Sequence, residues 1–142
     1  MKLADFKHIK KVKIRYDDLD TLGHVNNKAY LAYLEEARID FHHMLFNWKG
    51  KLAFNVVVAR IEINYLLPVF YDDELSLHTR ISNIGNKSFE LETLFAVSRE
   101  EKNSKVAEAK VVLVNIELKS GKTVPLPENE RSRLIEFRDK KN

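Results

Sequence analysis

Asp18-Leu19-Asp20-Thr21-Leu22-Gly23-His24-Val25-Asn26-Asn27 is the stretch that decides how this chain folds. It joins a strand-like segment to the long helical pattern of the sequence, so an acid, a histidine and two amides meet where a helix begins. The first N–H groups of a helix have no partner within it, and such a turn can hold negative charge. Asp20 offers a base or nucleophile and His24 a second polar group within one turn, which are the parts needed to attack a carbonyl.

The composition predicts one soluble globular domain, residues 1–142. The chain has 142 residues, of which 44% are hydrophobic and 32% charged, which is enough for a sizeable core. The net charge of +3 favours an anionic small ligand but is too weak to indicate nucleic acid as a partner. The lysines near the start and Lys140-Lys141 are expected to be solvated termini.

Several classes of site are excluded by what the sequence lacks. There is no cysteine, which removes disulfides, thiolate zinc sites and a cysteine nucleophile. Neither a His-Glu-x-x-His nor a Gly-x-Ser-x-Gly motif occurs. The segment 1–6 has no apolar run of signal-peptide length, and no run elsewhere approaches the roughly 20 residues of a membrane span. We expect a cytoplasmic protein with no membrane span.

Helical spacing of apolar residues predicts one long helix from Asn27 to about Trp48, roughly 30 Å in length. Asn26 or Asn27 is the expected N-cap and Gly50 the expected stop. The predicted buried face consists of Tyr30, Leu34, Ala37, Phe41, Met44 or Leu45, and Trp48, widened by Leu31 and Ile39.

The remainder alternates in the manner of strands, which we predict at 8–16, 54–67, 74–84, 87–98 and 105–118, with polar turns at 83–86 and 99–104. A short charged helix is expected at 128–140. An antiparallel five-stranded sheet wrapped around one long central helix, an α+β fold, is the simplest packing because each element has one apolar face to bury. Unpaired edges and outward apolar side chains then predict a homodimer or a homotetramer.

At this point the motif and the element order resemble those of the hotdog-fold thioesterases, in particular the 4-hydroxybenzoyl-CoA thioesterase-like and acyl-CoA thioesterase branches. The resemblance covers about residues 8–120. It is carried by the stretches Arg15-Tyr16-Asp17-Asp18-Leu19-Asp20, Gly23-His24-Val25-Asn26-Asn27, Tyr30-Leu31-Ala32-Tyr33-Leu34-Glu35-Glu36-Ala37-Arg38, Ile61-Glu62-Ile63-Asn64-Tyr65-Leu66-Leu67-Pro68 with Asp73, and Ile84-Gly85-Asn86-Lys87-Ser88-Phe89.

The resemblance implies an acyl-CoA thioesterase that releases free acid and CoA. Asp20, the second acid of the Asp-x-Asp pair, would attack the thioester carbonyl or activate a water, and the backbone N–H near Asn27 would polarise the carbonyl oxygen. His24 matches a histidine of acyl-carrier-protein thioesterases. Those enzymes have an asparagine where this chain has Leu22, so His24 is expected either to share in catalysis or only to orient Asp20 or the substrate. Asn27 stands where another branch has a histidine.

Further residues are candidates for binding an acyl-CoA substrate. Tyr30 and Tyr33 are mainly core residues that could also line an acyl pocket. Arg80, Lys87 and Ser88 could meet the phosphates or pantetheine of CoA. Water is the second substrate, and no metal or redox cofactor is required by this chemistry.

The alternatives stay open at this stage. The same sheet could carry an acyl-carrier-protein thioesterase or a dehydratase, and a non-catalytic acyl-CoA-binding module would leave the thioester intact. An aspartate before a helix is often only a turn former, and we assign Asp17 and Asp18 to turn geometry or to solvent. Surface or interface positions are expected for the remaining histidines, His8, His42, His43 and His78.

Overall fold

The computed structural model describes residues 2–47 and 55–141. In chain order, the strands and long helices of this part are β1 (His8–Val12), α1 (Asn27–Phe46), β2 (Asn55–Tyr65), β3 (Glu74–Ile84), β4 (Ser88–Arg99), β5 (Lys102–Ile116) and α2 (Glu128–Asp139). Short 3-10 turns occupy Leu3–Asp5 and Tyr16–Asp18.

The strands form one antiparallel sheet in the order β1-β3-β4-β5-β2. Tight hairpins join β3 to β4 and β4 to β5, whereas β2 pairs with β5 and is connected to β3 through residues 66–73. Irregular register at three places bends the strands, as bulges do, and α1 packs against the sheet. The predicted α+β architecture, a five-stranded antiparallel sheet around one long helix with a short C-terminal helix, is confirmed.

Helix α1 begins and ends at asparagines. The Asn26 side chain accepts a hydrogen bond from Lys28 N at 3.0 Å, so the predicted cap is confirmed at Asn26. Asn47 adopts the left-handed conformation, with φ of 51°, and ends the helix directly after Phe46. The helix is therefore slightly shorter than predicted, while Trp48 and the expected stop at Gly50 lie outside the described residues.

The buried face of α1 is narrower than predicted. Its core members include Tyr30, Tyr33, Leu34, Ala37 and Phe41. Leu31 and Ile39 were expected to widen this face, but they are 47% and 38% exposed, so that expectation is wrong for this chain. At about 100° per residue, Leu31 is turned a quarter of a circle from the buried stripe and Ile39 lies on the opposite side of the helix.

Two predicted boundaries are corrected by local hydrogen bonds and turn geometry. The first strand ends at Val12 rather than at residue 16, and residues 16–18 form a 3-10 turn in which the Asp18 carboxylate accepts a bond from Arg15 N at 2.9 Å. The predicted polar turn at 99–104 is a two-residue connection. Glu100 and Glu101 alone link β4 to β5, both with positive φ, 50° and 64°.

The two edges of the sheet differ in length and character. Edge strand β1 has five residues and carries Lys10 and Lys11. Edge strand β2 has eleven residues and is exposed along most of its length. The large apolar side chains that β2 leaves exposed are Val57, Val58, Ile61 and Tyr65. Long apolar edges favour pairing with another strand, whereas short charged edges disfavour it.

Candidate active site

The turn before α1 holds Asp20 by its backbone and by one side-chain oxygen. Asp20 Oδ1 accepts hydrogen bonds from Leu22 N at 2.9 Å and His24 N at 3.0 Å. Asp20 N donates to His24 O at 2.7 Å, and Gly23 N donates to Asp20 O at 3.1 Å. Gly23 has φ of 81°, a conformation that glycine adopts without steric cost. The exposed Asp20 carboxylate is thus fixed in place without being buried.

A buried carboxylate two residues earlier fastens this turn to the helix. Asp18 accepts hydrogen bonds from Tyr33 Oη at 2.7 Å and from the Arg15 backbone and guanidinium, and its carbonyl accepts Asn26 N at 2.7 Å. Burial alone would raise the pKa of Asp18, but these bonds more than offset it and leave the pKa below its usual value. Sequence reasoning gave Asp18 either a turn role or a solvent-exposed position; the structure shows the turn role with a buried side chain, and a bond to the helix that sequence reasoning missed.

A cleft of about 280 Å³ lies between this turn, the start of α1 and the segment that follows β2. Its lining residues are Asp20, His24, Val25, Asn27, Tyr30, Tyr65, Leu66, Leu67 and Pro68. The three predicted catalytic residues, Asp20, His24 and Asn27, therefore meet in one cleft, together with the predicted binding residue Tyr30. The rings of Tyr30 and Tyr65 meet edge to face at 4.9 Å.

The start of α1 offers one backbone donor to this cleft. Lys28 N is occupied by the Asn26 side chain and Ala29 N by the Asn26 carbonyl. Within residues 2–47 and 55–141, no acceptor is recorded for Asn27 N. A free N–H at a helix start carries partial positive charge, so Asn27 N is the group that can bind an oxyanion here.

Residues 66–68, at the beginning of the segment 66–73, form an apolar wall of the cleft. Leu66 N and Leu67 N both donate to Val106 O, at 2.9 and 3.1 Å, which fixes the beginning of the segment to β5. Val25 N donates to Val69 O at 2.8 Å, which joins its middle to the motif turn. The wall is therefore attached on both sides of the cleft.

An ion pair between Arg99 and Asp73 fixes the C-terminal end of the segment 66–73. Arg99 donates to both oxygens of Asp73, at 3.0 and 2.6 Å, and to Pro68 O at 2.9 Å. This hydrogen bonding, with a further bond from Phe70 N, lowers the pKa of Asp73 below its usual value. Sequence reasoning included Asp73 in the family pattern but missed Arg99, because no local signal links residues 26 positions apart.

The remaining predicted binding residues do not line the cleft within one chain. Tyr33 is buried and donates its hydroxyl to Asp18. Arg80 pairs with Glu92 at 3.1 Å and lies over the Phe6 ring, in a different cleft. Lys87 and Ser88 stand where β4 begins, roughly 35 Å of extended strand from its end at Arg99. A substrate role for these residues stays a prediction.

The histidine predictions need correction. His8, His42 and His78 are buried, whereas His43 is exposed as expected. His8 Nε2 bonds Asp40 at 2.8 Å, and His78 Nε2 bonds the Ser76 hydroxyl. His42 stacks on the Phe46 ring, and burial, helped by nearby Arg38, lowers its pKa to about 4. Histidine is amphipathic, so sequence alone does not place it inside or outside.

A single antiparallel sheet around one long helix is the architecture of the hotdog fold, and comparison with known proteins agrees. The family model of the thioesterase-like superfamily matches residues 14–134. The chain belongs to this superfamily and is a hotdog-fold thioesterase.

Individual relatives span nearly the whole chain. It is 33% identical over 126 residues to the long-chain acyl-CoA thioesterase FadM of Escherichia coli K12, covering 87% of this chain and 94% of that protein. It is 30% identical over 121 residues to the acyl-CoA thioester hydrolase YbgC of Escherichia coli O157:H7, covering 83% and 88%. A thioesterase of Thermus thermophilus, solved with coenzyme A and zinc, superposes with a TM-score of 0.77 at 35% identity, covering 91% and 98%.

Two features of the described residues bear on partners. None of the described helices combines the length and apolarity that crossing a membrane requires. Across residues 2–47 and 55–141, no three histidine, aspartate or glutamate side chains are grouped so as to hold a metal ion.

Proposed function

We propose that this enzyme hydrolyses acyl-CoA to a free acid and CoA in the cleft beside Asp20. The observation that carries the proposal is that a fixed, exposed carboxylate and the unoccupied Asn27 N–H line the same cleft. Asp20 is the base or nucleophile, and Asn27 N stabilises the oxygen of the tetrahedral intermediate. The named activities of FadM and YbgC support acyl-CoA as the substrate class.

Two routes satisfy this geometry. In the first, Asp20 takes a proton from a water whose oxygen bonds to the carbonyl carbon; the C–S bond then breaks and the proton passes to the departing thiolate. In the second, an Asp20 oxygen itself bonds to that carbon, CoA thiolate leaves, and water hydrolyses the resulting anhydride. Only Oδ1 of Asp20 has a hydrogen-bond donor among the described residues, which leaves Oδ2 for either role.

His24 lies beside this reaction centre and completes the proposal. Its backbone N–H bonds the Asp20 carboxylate, and its ring borders the cleft. We assign to His24 the role of orienting either the Asp20 carboxylate or the bound thioester. The side chains of Leu66, Leu67 and Tyr65 form an apolar wall that suits an acyl chain.

The proposed working form is a homodimer of single-domain chains, 1–142, joined through the β2 edges. The exposed apolar residues of β2 support this arrangement, because pairing two such edges would extend the sheet and cover them. Tyr65, at the end of β2, also lines the cleft, so a partner there would supply further wall. A homotetramer and a cytoplasmic location stay predictions from the sequence.

The first test is thiol release from a panel of aliphatic and aromatic acyl-CoAs. Asp20→Asn keeps an acceptor for the Leu22 and His24 N–H groups but removes the charge, so we expect kcat/KM to fall by about 10²–10⁴-fold with unchanged thermal stability. Asp17→Asn, an exposed neighbouring carboxylate, is the matched control and should retain activity. An Asp20→Asn enzyme as active as the wild type would remove Asp20 from the mechanism.

A second measurement distinguishes the two routes and the alternatives. In a single-turnover reaction in ¹⁸O-water, followed by mass spectrometry of the enzyme, label in Asp20 would establish an anhydride whose Asp20 carbonyl is attacked by water, whereas an Asp20 that acts only as a base stays unlabelled. Parallel assays with acyl-carrier-protein and enoyl-CoA substrates test the thioesterase and dehydratase alternatives. Stoichiometric binding of intact acyl-CoA without turnover would indicate the non-catalytic module.

A further inference from the structure

Phe70 is joined to the histidine of the cleft through the backbone. Residues 24 and 70 form an antiparallel bridge, and next to it Val25 N donates to Val69 O at 2.8 Å. The motif turn and the segment 66–73 are therefore paired as a short piece of sheet. In such a pair, directly opposed side chains lie close together on the same face.

The two opposed side chains are in contact. The His24 and Phe70 ring centroids are 5.1 Å apart with an interplanar angle of 80°, the edge-to-face arrangement that aromatic rings prefer. Phe70 is 43% exposed, so burial of its ring in the core does not explain why the ring lies against His24. Its contact with His24 restricts the rotation of an imidazole that is itself only partly buried.

Phe70 is in turn held in position by the ion pair between Arg99 and Asp73. Phe70 N donates to Asp73 Oδ2 at 2.8 Å, and the Arg99 guanidinium lies 5.5 Å from the centre of the Phe70 ring. Arg99 also binds Asp73 and Pro68 O on either side of Phe70. Arg99 of β4 thus contacts the Phe70 ring directly and holds the Phe70 backbone through Asp73.

We propose that Phe70 is a positioning residue that orients the His24 imidazole for thioester hydrolysis. The inference rests on the proposed function, since it assigns a role in that same cleft. It does not require Phe70 to touch the substrate. Because small misplacements of a group in an active site are costly, the loss of the ring should reduce turnover through His24.

A double-mutant cycle tests whether Phe70 acts through His24. We expect Phe70→Leu to lower kcat about tenfold with little change in KM, and Phe70→Tyr, which keeps the ring, to restore it. In a His24→Ala background, Phe70→Leu should cause no further loss. Tyr71→Leu, a change of the exposed neighbouring ring, is the matched control and should leave kcat unaltered.

Two kinetic outcomes would overturn the proposal. An equal loss from Phe70→Leu with and without His24 would show that Phe70 acts independently of the histidine. A His24→Ala enzyme as active as the wild type would show that its orientation does not matter to the reaction.

A spectroscopic arm is independent of turnover. NMR couplings across the His24 χ1 angle should report one rotamer in the wild type and in Phe70→Tyr, and averaging in Phe70→Leu. Unchanged couplings in Phe70→Leu would overturn the positioning role. If no thioester were hydrolysed by the wild type, the proposed function would fail, and the couplings would still decide whether Phe70 orients His24.

Discussion

Asp18 and Asp20 are two residues apart and have opposite environments. Asp18 is buried and receives hydrogen bonds at both carboxylate oxygens, one of them from Tyr33 on the helix. Asp20 is exposed and is held through one oxygen by backbone N–H groups. The first side chain maintains the turn, and the second is free for chemistry. The two roles separate because Asp18 ends the 3-10 turn Tyr16–Asp18 whereas Asp20 begins the following turn, which is closed by Gly23 N and His24 O.

Tyr33→Phe should weaken the link between the turn and the helix. A hydrogen bond to a buried charged group contributes about 1.5–3 kcal/mol, so we expect a loss of that order at pH 7 by urea unfolding. The native pKa of Asp18 is lowered from 3.8, so this stabilisation is present above pH 3.8 and is lost as the pH falls through the native pKa. The difference in unfolding free energy between Tyr33→Phe and the wild type should therefore become smaller in acid.

The matched control is Tyr30→Phe, at a buried tyrosine of the same helix that does not bond Asp18. For Tyr30→Phe, the difference in unfolding free energy from the wild type should not become smaller in acid. A Tyr33→Phe cost that is the same at pH 7 and in acid would contradict the assignment.

His42 should make the stability fall with decreasing pH. Its native pKa of about 4 lies below the unfolded value of 6.5, so the unfolded chain binds the proton first and stability is lost as pH falls from about 6.5 to about 4. The full loss is about 3 kcal/mol, at 1.36 kcal/mol per pKa unit. His42→Leu should remove this part of the pH dependence in urea unfolding, whereas His43→Leu, at the exposed neighbour, should leave it intact.

At the scale of elements, the helix and the alternating strands could be predicted from sequence because hydrophobic periodicity is a local signal. The N-cap at Asn26 and the meeting of Asp20, His24 and Asn27 in one cleft followed from the same motif. The strand order did not, since the pairing of β2 with β5 depends on contacts between distant residues. For the same reason, neither the Tyr33–Asp18 bond nor the Arg99–Asp73 pair could be found by inspecting neighbours.

The β4–β5 hairpin predicts a stabilising substitution. Glu101 has φ of 64°, a left-handed conformation that costs a residue with a side chain about 1–2 kcal/mol. Glu101→Gly relieves this cost but adds chain entropy to the unfolded state. We expect a net gain of about 0.5–1 kcal/mol and a Tm increase of about 2–4 °C by calorimetry.

Asn103→Gly tests the specificity of that explanation. Asn103 lies in the extended strand β5, where glycine has no such advantage, so this variant should lower Tm. A lower Tm in Glu101→Gly would show that its left-handed conformation is not the source of strain.

At the scale of the whole molecule, the proposed homodimer depends on the exposed edge strand β2. Ile61→Lys would place an unpaired charge in the proposed interface, and burial of such a charge is unfavourable by several kcal/mol. We expect the dimer Kd to rise at least about 100-fold, measured by analytical ultracentrifugation, with a parallel loss of thioesterase activity. Ile9→Lys, an exposed isoleucine on the other edge strand, should leave both unchanged, and a dimer that survives Ile61→Lys would contradict assembly through β2.

The unequal edges of the sheet limit how far such an assembly can grow. If both outer strands were long and apolar, each added chain would expose a fresh template, and the product would be an open fibril. Here the opposite edge of the sheet is the short strand β1, which carries two lysines. The positive charges of two such strands would repel each other and disfavour pairing. In the proposed dimer, growth along the sheet would therefore stop at two copies, and the exposed apolar strand β2 would not become an aggregation hazard.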